Sequence, residues 1–153
     1  MPFILSLDEG TTSARAALYD QSGQVVAMEA GPIVCRYPHP GWVEQDPTEI
    51  WLRQLDAARR LLFKTGIEPR DIIALGIANQ RETTIVWERA TGRPVAPAIV
   101  WQCRRTVDYC AKLASSPEAG RISATTGLVI DAYFSASKIA WILDHTPDGR
   151  ARE

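Results

Sequence analysis

The chain has 153 residues, 46% of them hydrophobic and 23% charged, an ordinary globular composition and enough length for one domain burying about 68–70% of its unfolded surface. Its 17 basic and 18 acidic residues leave a net charge of −1, so charge gives no grounds for binding nucleic acid or an anionic membrane. No apolar run approaches the ~18 residues of a membrane span, and the run Phe3 to Leu7 is too short for a signal peptide. Cys35, Cys103 and Cys110 suit neither a disulfide framework nor a zinc site, which leads to the expectation of a reduced, cytoplasmic, metal-free protein.

Short β-type runs come first in the chain: Phe3 to Leu7, Ala14 to Tyr19, and Gln24 to Met28 after the "DQSG" turn. Together they predict a three-stranded antiparallel meander. The segment Cys35 to Pro47 holds three prolines and a glycine and predicts an irregular loop. Asp46-Pro47-Thr48-Glu49 predicts a helix start, with Asp46 as N-cap, Pro47 at the first helical position and Glu49 closing a capping box. Behind it Ile50, Trp51, Leu55, Ala58, Leu61 and Leu62 recur at helical spacing until Gly66.

"DIIALGIAN", Asp71 to Asn79, is a continuous apolar run that suits a strand buried on both faces. "TTIVWE" and "APAIVW" read as two short strands around the turn Thr91 to Pro94. A helix is predicted from Arg104 to about Ser115, with Val107, Cys110, Ala111 and Ala114 on one side. Another is predicted from about Tyr133 to Leu143, with Trp141 and Ile142 on its buried stripe and a frayed exit over His145 to Glu153. Antiparallel strands, a helix, a buried strand and further helices make an α/β layer arrangement.

The chain lacks G-x-x-x-x-G-K-[ST] and G-x-G-x-x-G, the loops that cradle phosphate in P-loop and dinucleotide-binding proteins. His39 and His145 stand alone, against a histidine metal site or a Ser-His-Asp triad. Four stretches remain that can carry chemistry. In "DEGTTS", Gly10 lets the backbone approach an anion, Thr11, Thr12 and Ser13 offer hydroxyl and amide donors, Asp8 can hold Mg²⁺ or its water shell, and Arg15 adds positive charge. The same residues also suit a plain hairpin turn.

"NQRETT" places Arg81 beside Glu82 at a strand exit, where the pair offers a hydroxylated ligand donors and an acceptor, or forms a solvated turn. Trp101 in "VWQCRRT" can cover the carbons of a small polyol or belong to the core, and Arg104 and Arg105 open the following helix. Tyr133 can turn its hydroxyl into a cleft or serve as a packing residue.

Taken together, "LDEGTTSARAALYD", "PGWVEQDPTEIW", "GIANQRETTIVWERATGRPVAPAIVWQCRRT" and "YFSASKIAWIL" resemble, in order and spacing, the N-terminal part of the glycerol kinase family. That family is a branch of the carbohydrate kinases with an actin-like, ribonuclease-H-like ATPase fold, and the resemblance covers almost the whole chain. It implies an α/β N-terminal domain whose mixed sheet begins with an antiparallel meander and is flanked by helices. It also implies ATP and Mg²⁺ as cofactors and glycerol as substrate, with no nucleic-acid partner and no membrane span.

The resemblance further implies that Asp8 organises Mg²⁺, through water, against the phosphates. Thr11, Thr12, Ser13 and Arg15 fall in the nucleotide-phosphate motif, and Arg81, Glu82, Trp101 and Tyr133 fall where the family binds glycerol. Glu9 stands where the glycerol branch usually has glutamine, and the proline common before the tyrosine is missing. Family enzymes are several times longer, and their second domain supplies the general base and most of the adenosine pocket. Residues 1–153 are therefore expected to be one partial N-terminal domain, catalytically incompetent alone and prone to self-association or homo-oligomer formation through exposed apolar surface. A related sugar or polyol kinase fragment and a non-catalytic binding or assembly module are the alternatives.

Overall fold

Local sequence dictates most of the elements in the computed structural model of the chain, which describes residues 1–152. In chain order they are β1 (Phe3–Glu9), β2 (Ser13–Tyr19), β3 (Val25–Pro32), β4 (Glu44–Gln45), α1 (Pro47–Thr65), β5 (Ile72–Asn79), β6 (Ala98–Ile99), α2 (Val107–Ala114), α3 (Ala119–Thr126) and α4 (Ser135–His145). Short 3₁₀ turns lie at Pro69–Asp71 and Gly149–Arg152, and Glu153 lies outside the described residues. The chain divides into two compact units, the first made of Met1–Cys35 with Asp46–Gln80 and the second of Arg36–Gln45 with Arg81 onward. Among the described residues no helix is long and apolar enough to cross a membrane.

The first unit is a mixed four-stranded sheet in the order β3-β2-β1-β5, the meander antiparallel and β5 parallel to β1. The "DQSG" turn forms because the Asp20 carboxylate accepts from Ser22 N at 2.8 Å, Ser22 Oγ at 2.7 Å and Gln24 N at 3.0 Å. The hydrogen bond from the Ser22 side chain, followed by that from the Gln24 amide, keeps Asp20 below the usual carboxylate range. Leu5, Ala16 and Leu18 of the sheet meet Ala57 and Leu61 of α1 to make the core.

Helix α1 begins where the capping chemistry puts it. The Asp46 side chain accepts from the amides of Thr48 and Glu49, Pro47 occupies the first turn, and Gly66 closes the helix at φ 67°, a left-handed value that glycine adopts without steric cost. Its buried face keeps Ile50 and Leu61 of the expected stripe, with Ala58 and Leu62 partly buried against the core, and adds Gln54 and Ala57, while Trp51 departs from it at 63% exposed. Buried Gln54 donates its Nε2 to the Arg15 carbonyl at 2.9 Å, which satisfies one end of the amide, while its buried Oε1 accepts no hydrogen bond from the described residues.

The expectation of a strand buried on both faces fails for β5. The strand forms, but at the edge of the sheet, with Ile73, Leu75 and Ile77 exposed by 68, 55 and 73%. Leu75 and Ile77 sit beside Leu5 and Leu7 in the ladder, yet α1 packs over β1, β2 and β3 and stops short of them.

In the second unit, β4 and β6 pair antiparallel, and the two runs around Thr91–Pro94 close only as a ragged hairpin with bridges Thr84↔Ile99 and Trp87↔Pro94. Both helices expected here form, but later than their predicted starts: α2 opens at Val107 and α4 at Ser135. Cys110 is buried on α2 and Ile142 on α4, whereas Ala111 and Ala114 are exposed. Arg105 departs from its expected place at a polar helix opening. Its side chain is 2% exposed, paired with Glu44 at 2.7 Å, and its guanidinium lies 3.9 Å from the Trp42 ring centre and 4.6 Å from that of Trp141.

Replacing Asp46 by alanine removes the acceptor for two α1 amides. Asp46→Ala is expected to lower the unfolding free energy by about 1 kcal/mol, measured by urea denaturation, and an unchanged midpoint would mean that solvent caps the helix equally well.

Candidate functional site

The β1–β2 connection is tight enough to define where an anion would meet backbone. Gly10 N donates to Ser13 O at 3.0 Å, and a Cβ on Gly10 would lie 3.0 Å from that same oxygen, a tight contact. Glycine therefore suits this turn, since any side chain would press on the carbonyl that closes it. Thr12 is exposed and its carbonyl accepts from Ile33 N at 3.0 Å, while the Thr11 carbonyl faces the Cys35 thiol at 3.9 Å. Asp8 and Arg15 are opposite one another in the β1–β2 ladder and form an ion pair of 2.9 Å. With side chains 43 and 47% exposed, the pair is worth no more than about 1 kcal/mol and is easily exchanged for another partner.

Beside Asp8, the Glu9 carboxyl has both oxygens buried and no hydrogen-bond partner. Burial first, and the Asp8 charge second, push its pKa from 4.5 up to about 7. Asp8 and Glu9 are thus two adjacent acids with different tasks open to them: one accessible and able to meet a cation, the other holding a proton near neutrality.

In the second unit the structure gathers the residues singled out after β5. Glu82 has φ 65°, an unusual value for a side-chain-bearing residue. Its Oε2 accepts from both the amide and the hydroxyl of Ser135, at 2.8 and 2.7 Å, so Glu82 caps the start of α4 from a distant segment. Glu82 Oε1 accepts no hydrogen bond from the described residues. Lys138, fully buried on α4, donates to the carbonyls of Glu82, at 2.9 Å, and Tyr133. Burial pulls its pKa down, opposed chiefly by the Glu82 charge.

Trp101 N donates to Thr83 Oγ1 at 3.3 Å, and the Trp101 ring meets the Tyr133 ring edge to face at 6.0 Å. Tyr133 is oriented from below by Asp131, whose Oδ1 accepts its amide at 2.7 Å and whose carboxylate is held ionised by Arg104 at 2.9 Å. Glu82, Trp101 and Tyr133 therefore belong to one hydrogen-bonded and ring-packed group. Arg81 is exposed and makes no ion pair or hydrogen bond among the described residues.

Sequence reasoning missed Ser135 and Lys138, although both stand in the quoted "YFSASK". Their three-residue spacing at a helix start puts them on one face, the signal that would have marked them.

Residues 3–152 match the N-terminal domain of the FGGY family of carbohydrate kinases. Among curated proteins, the chain is 53% identical over 152 residues to a glycerol kinase of Methylibium petroleiphilum, and 52% identical over 152 residues to glycerol kinase 2 of Thermotoga maritima. It covers 99% of itself in each comparison but only 30 and 31% of those proteins, so it spans about a third of the length of the curated relatives it matches. Among solved structures it resembles Plasmodium falciparum glycerol kinase with ADP, with a TM-score of 0.89 and 31% identity over 99% of this chain and 30% of that one. A xylulose kinase of Rhodospirillum rubrum gives 0.81 and 27% over 98 and 31%. The mixed sheet with its opening meander is accordingly the sugar-kinase architecture.

The raised Glu9 acid has a pH signature. The folded chain binds its proton more tightly than the unfolded chain does, so the contribution of Glu9 to stability is fully present below pH 4.5 and is lost as pH rises through about 7. In metal-free buffer, Glu9→Gln should therefore gain about 2–3 kcal/mol over the parent chain on passing from about pH 5 to about pH 8, read from urea midpoints. Parallel pH profiles for the two proteins would show that Glu9 is ionised in the fold.

Proposed function

The chain belongs to the FGGY family of carbohydrate kinases, and on that premise we propose that it is the N-terminal part of an ATP-dependent glycerol kinase, acting on glycerol and ATP to give glycerol 3-phosphate and ADP. The observation that carries this reading is the linked group of Glu82, Trp101 and Tyr133, with Glu82 Oε1 and the Arg81 guanidinium open to a ligand. A three-carbon triol matches that set. Arg81 donates to one hydroxyl, Glu82 Oε1 accepts from another, the Trp101 ring covers the carbons and the Tyr133 hydroxyl holds a third oxygen.

The hairpin of the first unit supplies the chemistry for phosphate. Thr11, Thr12 and Ser13 offer donors at a turn kept open by Gly10, and Arg15 exchanges its weak bond to Asp8 for a phosphate oxygen. One accessible carboxylate fits Mg²⁺, which keeps most of its waters and needs few protein ligands; Asp8 is that residue and would hold the ion through water. When bound, Mg²⁺ neutralises charge on the transferred phosphoryl group.

A cytoplasmic setting accords with the substrates. The 153-residue chain forms one partial kinase domain in this reading, and the uncovered apolar side chains of β5 favour self-association. A kinase for another sugar shares the hairpin but does not need an Arg-Glu pair beside Trp101 and Tyr133. A non-catalytic binding module would bind ligand without turnover in any setting.

Glycerol titrated into the chain should give saturable shifts of the Trp101 and Tyr133 resonances by NMR, and Arg81→Ala should weaken the affinity about tenfold, one charge-assisted hydrogen bond. Absence of shifts up to about 1 M glycerol, or tighter binding of xylulose, would overturn the glycerol reading.

Phosphoryl transfer rests on positioning worth about 7–11 kcal/mol and on general-base help of about 10²–10⁴-fold. The chain offers binding groups without that base. A coupled ADP-release assay should accordingly find no glycerol-dependent turnover, and activity within about tenfold of a full-length relative would refute this.

A further inference from the structure

We propose that Ser135 and Lys138 form a positioning clasp that sets the polyol selectivity of Glu82 and Tyr133, an inference that rests on the glycerol reading of that site. Four contacts define the clasp. Ser135 gives its amide and hydroxyl to Glu82 Oε2, at 2.8 and 2.7 Å, and Lys138 gives two ammonium hydrogens to the carbonyls of Glu82 and Tyr133. Both residues lie in the first turn of α4, three apart, so one rigid element grips two segments separated by about fifty residues of chain.

Each contact answers a physical need. Glu82 sits at φ 65°, a conformation that costs a side-chain-bearing residue and persists only where surrounding bonds over-determine it. The carbonyl bond from Lys138 and the carboxylate bonds from Ser135 fix both ends of that residue. Spending Oε2 on Ser135 also leaves Glu82 a single oxygen, Oε1, with one direction in which to accept a hydroxyl. Lys138 places its ammonium on a side chain with no exposure to water, and a desolvated ammonium is costly unless its hydrogens are used. Burial accordingly pulls its pKa down, and the Glu82 charge opposes that. An apolar residue would fill this position more cheaply if packing were the only requirement.

The clasp also joins the acceptor to the ring. Tyr133 is held through its carbonyl by Lys138 and through its amide by Asp131 at 2.7 Å, so its phenol keeps a fixed relation to Glu82. A site built to bond a particular hydroxyl rejects the analogue that lacks it, because the buried groups are then left unpaired. Loosening the clasp should therefore erode the preference for glycerol over 1,2-propanediol, in addition to lowering affinity.

The test is an NMR titration of the 153-residue chain with glycerol and with 1,2-propanediol, repeated for Lys138→Met, Ser135→Ala and Ser135→Thr. Lys138→Met and Ser135→Ala should weaken glycerol binding about tenfold and about three- to tenfold, and shrink the glycerol-to-propanediol ratio by similar factors. Ser135→Thr, which keeps the hydroxyl, should restore the ratio to within about twofold of the parent. Loss of folded protein alone would weaken both ligands equally and leave the ratio unchanged. If Lys138→Met fails to fold, the Ser135 pair decides.

An unchanged ratio in folded Ser135→Ala, with the parent chain binding glycerol, overturns the clasp and leaves the glycerol reading standing. A parent chain that binds neither diol nor triol overturns the glycerol reading itself, and the clasp with it.

Discussion

A guanidinium that has lost its water must find its hydration elsewhere, and the second unit is organised around that demand. Arg105 gives Nη2 to Glu44 and Nε to the Cys103 sulfur at 3.0 Å, and lies over two indole rings. Trp42 and Glu44 come from the proline-rich loop and β4, and Trp141 from α4. One charge therefore fastens a loop with little regular structure to a helix far along the chain. Delocalised and weakly hydrated, a guanidinium can stack on aromatic faces while keeping its in-plane donors; an ammonium at this position could not do both. Outside the sandwich, His39 meets Trp42 edge to face and His145 stacks on Trp141 at 4.1 Å. Held at Trp141, α4 presents Ser135 and Lys138 of its first turn to Glu82.

The first unit rests on a different balance. Its inner strand β2 turns Ala16 and Leu18 toward Ala57 and Leu61 of α1, and the small side chains of Ala16 and Ala57 leave room for the helix against the sheet. Polar links finish the seam: Gln54 to the Arg15 carbonyl, Arg60 to the Ala30 carbonyl, and Lys64 to Glu29 at 2.5 Å. The last is exposed and secures orientation more than energy.

Features written in adjacent residues were legible in the sequence. Asp46 and Gly66 mark the ends of α1, Asp20 and Gly23 shape their turn, and the meander follows from runs of alternating or apolar residues. What depended on remote partners was not. Ile73, Leu75 and Ile77 announce apolarity, but whether they are covered depends on which layers pack there, and α1 does not reach them. Arg105 looks like a solvated helix opening until two distant tryptophans close on it. Arg81, Glu82, Trp101 and Tyr133 were found through their resemblance as a set, and geometry joins the last three through Ser135, Lys138 and Thr83. No local pattern said that Glu82 would also serve as a helix cap.

The buried Glu9 carboxyl also bears on how this position can change over generations. A glutamate codon becomes a glutamine codon through one base, and the two side chains have nearly the same shape. A carboxyl pushed to about 7 and deprived of partners spends much of its time as a neutral group of glutamine-like size. At mildly acidic pH the folded chain therefore carries a neutral side chain of nearly the same shape with either letter, and the two diverge only as pH rises through about 7. One base change in that codon would accordingly exchange a position sensitive to pH for one indifferent to it.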